Sequence, residues 1–322
     1  MLDFLLSNIG QGLIYAPIVL GVYITYSILD FPDLSVDGTF PLGAAVTAVF
    51  IVSGMNPMLA LLLAIAAGAA AGYVTGALHV HLKITNLLCG ILTMTALYSI
   101  NLRIMGKANI PLLTQKTIYD IWQDFLQRLL HITISTPTEK LVCSVALSLI
   151  IVAVIKVLLD LFMRTFAGMS LLAVGKSEQL VATLSINTGR LKIAGLMIAN
   201  GLTALSGSLM AQYQHFADVG MGSGTVVIGL AAVIIGRAIF GRMRFIQGST
   251  SVIFGSIIYK IGVGLALKAG LAASDTKLIT AVVFVIVIVL QMFAGYISAV
   301  AKKLAKVIKR IFTRKKGGGG NA

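Results

Sequence analysis

Carboxylates cluster in one short stretch of a strongly apolar chain. The segment LDFPDLSVDGTFPLGA, residues 29–44, holds three of the eleven acidic residues: Asp30, Asp33 and Asp37. It also holds three residues that disfavour a continuous helix: Pro32, Gly38 and Pro41. Backbone opened at membrane depth persists only where protein or a water-filled cavity satisfies it, and transporters place substrate sites at such breaks. The segment therefore predicts a broken helix near residues 30–41, either as part of a binding site or, with equal weight, as an ordinary polar surface loop.

Residue patterns for catalysis or metal binding are missing from the sequence. It contains no Ser/His/Asp set, carboxylate pair or HExxH motif of the kind that supports hydrolysis. His79 and His81 have no third ligand at useful spacing, so we expect them at a membrane interface and predict no metal site. Cys89 and Cys143 lie in apolar runs and are expected to be buried thiols. We predict that this chain is not an enzyme and binds no cofactor itself.

Small residues recur at helix-packing spacing. Gly68, Gly72 and Gly76 form GxxxGxxxG, which allows two helix backbones to approach closely, within one subunit or between two subunits. GMGSGTVVIGLAAVIIGRAIFG, residues 220–241, predicts either a hinge or re-entrant element or a closely packed span. Isolated polar residues in apolar runs favour hydrogen bonds between helices over substrate contact; these are Asn101, Arg103, Asn200 and Gln212.

Composition places these residues in a membrane. The 322 residues are 58% hydrophobic and only 11% charged, whereas soluble domains carry about 25% charged residues. Apolar runs of about 20 residues predict membrane-spanning helices. About nine such spans (8–10) are predicted, at roughly 8–29, 40–54, 57–79, 86–105, 139–163, 191–213, 222–240, 246–268 and 275–299. The predicted fold is thus an all-α polytopic helix bundle, with one transmembrane domain over residues 1–300.

Charge predicts how the chain is oriented. Eight of the 25 Lys and Arg residues lie between Lys302 and Lys316, so residues 301–322 are predicted to form a basic cytoplasmic tail. Nucleic-acid binding is not expected. Alternating the spans backwards from this tail predicts which segments lie on each side of the membrane. The segments around Arg237 and His79 and residues 164–192 would lie inside. The N-terminus, the loop at about 106–138 and the segment after His215 would lie outside. The outer loop contains IYDIWQDFLQRLLHI, which predicts an amphipathic surface helix.

Residues 164–192 form a polar interruption between two apolar spans. Ser177 is suited to be an N-cap and Glu178 to the first turn of a short helix. Leu180, Val181 and Leu184 would share one face of that helix, and Asn187 and Gly189 would stop it. A short amphipathic helix on one membrane face indicates a contact surface for a partner.

Three segments together resemble the permease subunits of bacterial ABC importers of the branched-chain amino acid and ribose type. They are ILDFPDLSVDGTFPLGA, GMSLLAVGKSEQLVATLSINTGRLKIAGLMIANGLTALSGSLMA and GTVVIGLAAVIIG, and the likeness runs from about residue 8 to residue 300. The narrower resemblance, carried by GVYITYSILDFPDLSVDGTFPLGAA, ILTMTALYSINLRIMGKANIPLL and ASDTKLITA, is to tryptophan/tyrosine transport permeases. Lys176-Ser177 departs from the Gly-Glu-Asn or Gly-Ser-Asn of many relatives.

The resemblance implies an ATP-driven importer in the bacterial cytoplasmic (inner) membrane. Its expected partners are a second permease copy (a homodimer), two ATP-binding subunits that hold ATP and Mg, and an extracytoplasmic substrate-binding protein or lipoprotein. The expected coupling residues are Arg164, Gly168, Ala173, Gly175, Lys176, Ser177, Glu178 and Ala182. The expected translocation-pathway residues are Asp33, Leu34, Ser35, Val36, Asp37 and Gly38.

The cargo implied by the resemblance is a small amino acid of aromatic type. A sugar, nucleoside or peptide on the same architecture is the alternative. An autonomous channel or secondary carrier is the alternative from another class. A purely structural scaffold would leave the amphipathic insert unexplained.

Overall fold

The computed structural model describes residues 1–130, 136–241, 247–270, 278–286 and 289. Eleven α-helices and two short strands are defined in these ranges. The helices are α1 (Leu2–Val22), α2 (Val36–Val52), α3 (Pro57–Leu82), α4 (Asn86–Met105), α5 (Ile118–Leu130), α6 (Pro137–Arg164), α7 (Phe166–Lys176), α8 (Glu178–Thr183), α9 (Thr188–Gln214), α10 (Thr225–Phe240) and α11 (Gly248–Lys268). A π-helical turn, Tyr23–Ile28, extends α1, and a 3₁₀ turn, Val219–Gly222, precedes α10. Residues 278–286 are also helical.

Seven helical stretches of the described chain are long and apolar enough to cross a membrane: Leu2–Ile28, Pro57–Leu82, Asn86–Met105, Pro137–Arg164, Thr188–Gln214, Val219–Phe240 and Gly248–Lys268. The all-α polytopic bundle predicted from the sequence is therefore confirmed. The predicted second span is the 17-residue helix α2, which is shorter than these seven. Most of the predicted ninth span, and the tail from residue 301, lie outside the described residues.

Capping residues set several helix starts. Asn56 accepts a hydrogen bond from the Met58 amide at 2.9 Å, and Pro57 occupies the first turn of α3. Thr136 and Glu139 form a reciprocal capping box at the start of α6. Asn187 accepts from the Arg190 amide at 3.0 Å and begins α9. These side chains satisfy amide groups that a helix start leaves without partners.

Helix α9 lies against α1, α2 and α3. The glycine stripe on α3 forms part of this contact: a side chain at Gly68 or Gly72 would collide with the α9 backbone at Asn200 or Leu196, and one at Gly76 would crowd Ile193. The stripe therefore packs two helices of one subunit, which was the first of the two interpretations of its spacing.

The loops group at two ends of the bundle. At one end, β1 (Asn109–Pro111) pairs antiparallel with β2 (Phe216–Asp218), with Ile110 opposite Ala217. The N-terminal part of α1 reaches the same end, since Thr138 donates to Asp3 at 2.7 Å. At the other end, Gly189 lies against Val80 and the ring of Phe31 meets that of His79 edge-on at 5.1 Å. This grouping agrees with the alternation of spans predicted from charge.

Replacing Gly72 with Leu tests the α3–α9 contact. The new side chain meets the Leu196 carbonyl and the Met197 backbone, and overpacking of this kind costs about 1–3 kcal/mol. We expect a clearly lower melting temperature for the purified protein in detergent. The control is Ala70→Leu on the exposed side of α3, which should leave the free energy of unfolding within about 0.5 kcal/mol. Equal melting temperatures for the two variants would contradict the packing assignment.

Candidate functional site

The first span breaks inside the bundle. α1 widens into the π turn at Tyr23 and the chain leaves helical geometry after Ile28. The Leu29 amide donates to the Ile24 carbonyl at 2.9 Å and the Phe31 amide to the Thr25 carbonyl at 2.8 Å, so the open backbone stays satisfied. The break covers residues 29–35. The prediction that Gly38 and Pro41 also interrupt the helix is wrong, because both lie within α2.

A buried carboxylate holds the break to the middle of α9. Asp33 accepts from its own loop at the Ser35 amide and from the Asn200 side chain, both at 2.8 Å. The Asn200 Oδ1 atom accepts from Ser35 at 3.1 Å and from Thr39 at 2.7 Å. Asn200 is the thirteenth of 27 residues in α9, a helix about 40 Å long. The loop therefore reaches the centre of the bundle, where its polar groups are paired by protein.

Asp37 joins the starts of two helices. It lies in the first turn of α2, and its Oδ1 accepts from the Val226 amide at 2.8 Å and the Thr225 hydroxyl at 2.9 Å. Its Oδ2 accepts from the Gly224 amide at 3.0 Å. Helix α10 has no cap from its own N-cap residue, Gly224. A carboxylate at a helix N-terminus satisfies free amides and the positive end of the helix dipole, so Asp37 caps α10 from outside it.

Next to Asp37 the helix backbone of α2 is open. Pro41 has no amide hydrogen, which leaves the Asp37 carbonyl without its helical donor. Gly222 packs against this carbonyl and against the Pro41 ring, where any side chain would collide. Both interpretations of the glycine-rich segment fit the structure: a 3₁₀ turn and a positive φ of 87° at Gly224 interrupt the span before α10, and Gly229 and Gly236 pack closely against Val22 and Ser251.

A cavity of about 410 Å³ opens beside these helix starts. It is lined by Asp37, Gly38, Pro41, Met94, Thr95, Tyr98, Asn101, Val219, Gly220 and Ser223. Of the six predicted pathway residues, Asp37 and Gly38 line it. Asp33, Ser35 and Val36 are buried, and Leu34 packs against Gly90 of α4.

The isolated polar residues take different positions. Asn200 bonds to the loop between α1 and α2, and Asn101 donates to the Gly38 carbonyl at 3.1 Å, as expected for contacts between helices. Gln212 accepts from the Ile118 amide at 2.8 Å and so caps α5. Arg103 is exposed. Among these, Asn101 also lines the cavity.

The amphipathic helix predicted in the outer loop is confirmed as α5, Ile118–Leu130. Ile118 and Tyr119 are buried, and the Tyr119 hydroxyl lies 3.3 Å from that of Ser148 on α6. Phe125 and Leu129 on the same helix are exposed. His131 and Ile132, the end of the predicted helix, lie outside the described residues.

The polar interruption folds into two short helices, α7 and α8. Ser177 caps α8, accepting from the Leu180 amide at 3.4 Å, as predicted. Of the predicted apolar face only Val181 is buried, while Leu180 and Leu184 are 61% and 64% exposed. The predicted stop at Asn187 and Gly189 is wrong: α8 ends at Thr183, and Gly189 lies in the first turn of α9, which Asn187 caps.

Helix α7 lies directly on the break. Gly175 packs against the Ile28 carbonyl so closely that a Cβ atom would overlap it. Gly168 packs in the same way against the α6 backbone at Phe162 and Met163. A second cavity, of about 240 Å³, lies between the break and the α7–α8 junction and is lined by Asp30, Lys176 and Lys192 among others. Helix α7 is thus in direct backbone contact with the end of the π turn.

The outward side of the two short helices is partly apolar. Phe166 is 72% exposed and Met169 54% exposed, on the helix that buries Leu171 and Val174. Arg164, Lys176, Ser177, Glu178 and Ala182 of the predicted coupling residues are exposed as well, whereas Gly168 is buried and Ala173 and Gly175 are partly buried. The predicted coupling set therefore divides into small residues that face inward (Gly168, Ala173 and Gly175) and exposed residues that are polar except for Ala182.

An ion pair joins α8 to α9. The Lys192 Nζ atom donates to the Glu178 Oε2 atom at 2.7 Å. This hydrogen bond, together with the charge of Lys192, lowers the pKa of the Glu178 carboxyl. The Glu178 side chain is half exposed, so the pair orients α8 more than it stabilises the fold.

His79 and the two cysteines have structural environments. The His79 Nδ1 atom lies 2.8 Å from the Ile84 carbonyl oxygen at the turn between α3 and α4. Cys89 and Cys143 are both buried free thiols. Among the described residues, no group of three or more His, Cys, Asp or Glu side chains is arranged to hold a metal ion.

The comparisons with known proteins agree with this architecture. The family described as branched-chain amino acid transport system / permease component matches residues 4–300. A tyrosine transport system permease protein of Clostridioides difficile (strain R20291) is 45% identical over 312 residues, covering 97% of this chain and 98% of the relative. An uncharacterised protein of Rickettsia prowazekii (strain Madrid E) is 34% identical over 289 residues, covering 88% and 96%. No solved structure matches the chain.

The chain belongs to the family of permease components of branched-chain amino acid transport systems. It is a multi-pass membrane protein and a transport subunit, and the family resemblance drawn from its sequence motifs is confirmed.

Sequence reasoning missed three features of the site. Helix α7 was read only as part of a polar interruption, although Thr165 before it is a good N-cap and accepts from the Gly168 amide at 3.3 Å. The pairing of Asp33 with Asn200 joins residues 167 apart, and no local pattern signals it. The capping of α10 by Asp37 was missed for the same reason. The signal for it was Gly224, which begins an apolar helix without a side chain that could cap it.

Replacing Asn200 with Leu tests the interaction that closes the break. The variant leaves the buried Asp33 carboxylate without one of its donors, and an unsatisfied buried group costs about 1–3 kcal/mol, more when it is charged. We expect a large drop in melting temperature. Thr203→Val is the control, since Thr203 is equally buried one turn later and bonds only to its own helix at Ala199. A drop no larger than that of the control would contradict the assignment.

The Glu178–Lys192 pair should make local stability depend on pH. Because the folded-state pKa of Glu178 is lowered, the pair contributes at pH values above the ordinary glutamate value of about 4.3. That contribution is lost as the pH falls through the folded-state value. The melting-temperature difference between the natural protein and Glu178→Gln should therefore be small but positive at pH 7 and vanish in acid. A difference that persists at low pH would rule out the ion pair as its source.

Proposed function

We propose that this chain is the membrane subunit of an ATP-driven importer for a small amino acid of aromatic type. It acts as a homodimer with two ATP-binding subunits on the cytoplasmic face, which hold ATP and Mg, and receives cargo from an extracytoplasmic binding protein. The family membership and the 45% identity to a tyrosine transport permease over nearly the full chain support the transport of an amino acid.

The observation that carries the ATP-driven part is the contact between Gly175 and the Ile28 carbonyl. The exposed faces of α7 and α8 offer a partner the apolar side chains of Phe166, Leu180 and Leu184. A push on these helices reaches the broken span without an intervening flexible segment. An ATP-binding partner shifts the permease between two conformations only if it binds them with different affinities. The contact between α7 and the Ile28 carbonyl would transmit that shift to the break.

Orientation follows from the same proposal. The α7–α8 unit, the turn at His79–Lys83 and the C-terminal tail face the cytoplasm. The β1–β2 pair and α5 face the binding protein. This assigns the protein to the bacterial cytoplasmic membrane, with about nine crossings and its N-terminus outside.

Reconstitution tests the proposal. The chain is placed in proteoliposomes with the proposed ATP-binding subunits and binding protein, and uptake of radiolabelled tyrosine is followed with and without ATP. We expect uptake only in the complete, ATP-supplied system. Equal tyrosine flux in vesicles that contain this chain alone would establish an autonomous carrier instead and overturn the importer.

In the same system Gly175→Val should separate ATP hydrolysis from uptake. The added side chain displaces α7 from the Ile28 carbonyl, and a clash costing about 1–3 kcal/mol corresponds to a loss of uptake of roughly fivefold to a hundredfold. ATPase activity should persist. Gly262→Val on α11 is the control, since a Cβ atom there meets open space. Normal coupled uptake by a well-folded Gly175→Val protein would defeat the assigned role of α7.

A further inference from the structure

The cavity beside Asp37 has the size and character of a small-molecule site. Its volume of about 410 Å³ lies within the range of pockets that hold small organic ligands, about 300–1,000 Å³. It is formed where the start of α2 and the 3₁₀ turn before α10 meet the middle and end of α4. Met94, Pro41 and Val219 give it apolar walls, and Tyr98 adds an aromatic ring. Such walls with a few convergent polar groups are typical of a binding site.

The cavity contains a hydrogen-bond acceptor without a donor. Asn101 is fully buried and its Nδ2 group donates to the Gly38 carbonyl at 3.1 Å. That bond fixes the orientation of the amide, so the Oδ1 atom is the acceptor. Within the described part of the chain, Oδ1 has no hydrogen-bond partner. Most buried acceptors in proteins are paired, with protein or with ordered water, so this atom is available to a donor from a bound molecule.

The cavity is also negative. Asp37 is the acidic residue of its lining, and the described residues that line it include no Lys, Arg or His. The three ion pairs found among the described residues involve other carboxylates. Asp37 Oδ1 accepts two hydrogen bonds and Oδ2 accepts one, which leaves acceptor capacity on Oδ2. A ligand with a positive charge and N–H donors matches both Asp37 and Asn101.

We propose that this cavity binds the amino-acid cargo directly, with its ammonium group between Asp37 Oδ2 and Asn101 Oδ1. The side chain of the cargo lies against Tyr98 and Met94, where an aromatic ring gains from stacking and from contact with sulfur. The proposal rests on the proposed function and adds to it a second point of selection, inside the permease, that recognises the amine end of the cargo.

Equilibrium binding to the purified permease tests this without its partners. The chain is placed in nanodiscs of phosphatidylglycerol, and binding of radiolabelled tyrosine is measured up to about 1 mM, a concentration that still detects weak sites. Tyramine, which has the ammonium group but no carboxylate, should compete. 3-(4-Hydroxyphenyl)propionate, which has the carboxylate but no ammonium group, should not. No saturable tyrosine binding, or competition by the propionate equal to that by tyramine, would overturn the proposal.

Two pairs of variants isolate the contacts. Asn101→Leu and Asn101→Asp both lose the hydrogen bond to the Gly38 carbonyl, but only Asn101→Asp keeps an acceptor oxygen. Asn101→Leu should therefore weaken tyrosine binding by about tenfold or more, and Asn101→Asp should retain it. Tyr98→Ala should weaken binding, whereas Tyr73→Ala, a similarly exposed tyrosine on α3 outside the cavity, should not. Equal affinities within both pairs would place the ligand elsewhere.

The ammonium group of a lipid could occupy the same atoms. Nanodiscs that contain phosphatidylethanolamine are therefore compared with the phosphatidylglycerol discs. Unchanged affinity identifies the amino acid as the ligand, whereas tyrosine binding abolished at all concentrations by phosphatidylethanolamine assigns the cavity to lipid and overturns the proposal.

If the complete system imports tyrosine but the permease alone never binds it, this inference fails and the importer stands. If the permease binds tyrosine and also carries it without ATP, the importer fails and the cavity stands.

Discussion

The constraint on which this structure depends is an open stretch of backbone, residues 29–35, that runs from the surface into an apolar bundle. Asp30 and Pro32 are exposed, whereas Asp33 and Ser35 are buried where no bulk water can satisfy their polar groups, which must therefore find protein partners. Asp33 and Asn200 solve this together, each bonding to the loop and to the other. Asn200 can reach the loop only because small residues bring α2, α3 and α9 together, with Gly43 and Gly207 against opposing carbonyls.

The same break connects two surfaces that are far apart in the bundle. At one end Gly175 of α7 lies against the Ile28 carbonyl. At the other, Asp37 holds the start of α10 next to the cavity. Between them the loop is tied to α9 through Asp33. A displacement of α7 therefore acts on an element whose hydrogen bonds set the position of α2 and α10, which is how the proposed ATP-driven movement would open or close the cavity.

The sequence predicted those parts of the fold that are governed by local pattern. Long apolar runs located the spans, GxxxGxxxG located the α3–α9 contact, and Ser177 located the start of α8. The sequence failed where a residue's role depends on a distant partner. Gly38 and Pro41 resemble helix breakers, yet α2 continues through both: Gly222 covers the Asp37 carbonyl that Pro41 leaves without a donor, and Asn101 bonds to the neighbouring Gly38 carbonyl. The cavity was likewise invisible, because α4 and the 3₁₀ turn contribute to it from separate parts of the chain.

The measurement that bears most directly on this account is the sidedness of the α7–α8 unit. Single cysteines at Lys176 and at Leu113, which is 81% exposed near β1, are introduced after Cys89 and Cys143 are replaced by Ser. An impermeant maleimide is applied to the outer face of the membrane. The account predicts that position 113 reacts at once and that position 176 reacts only after the membrane is permeabilised. Labelling of position 176 from the outside would contradict it.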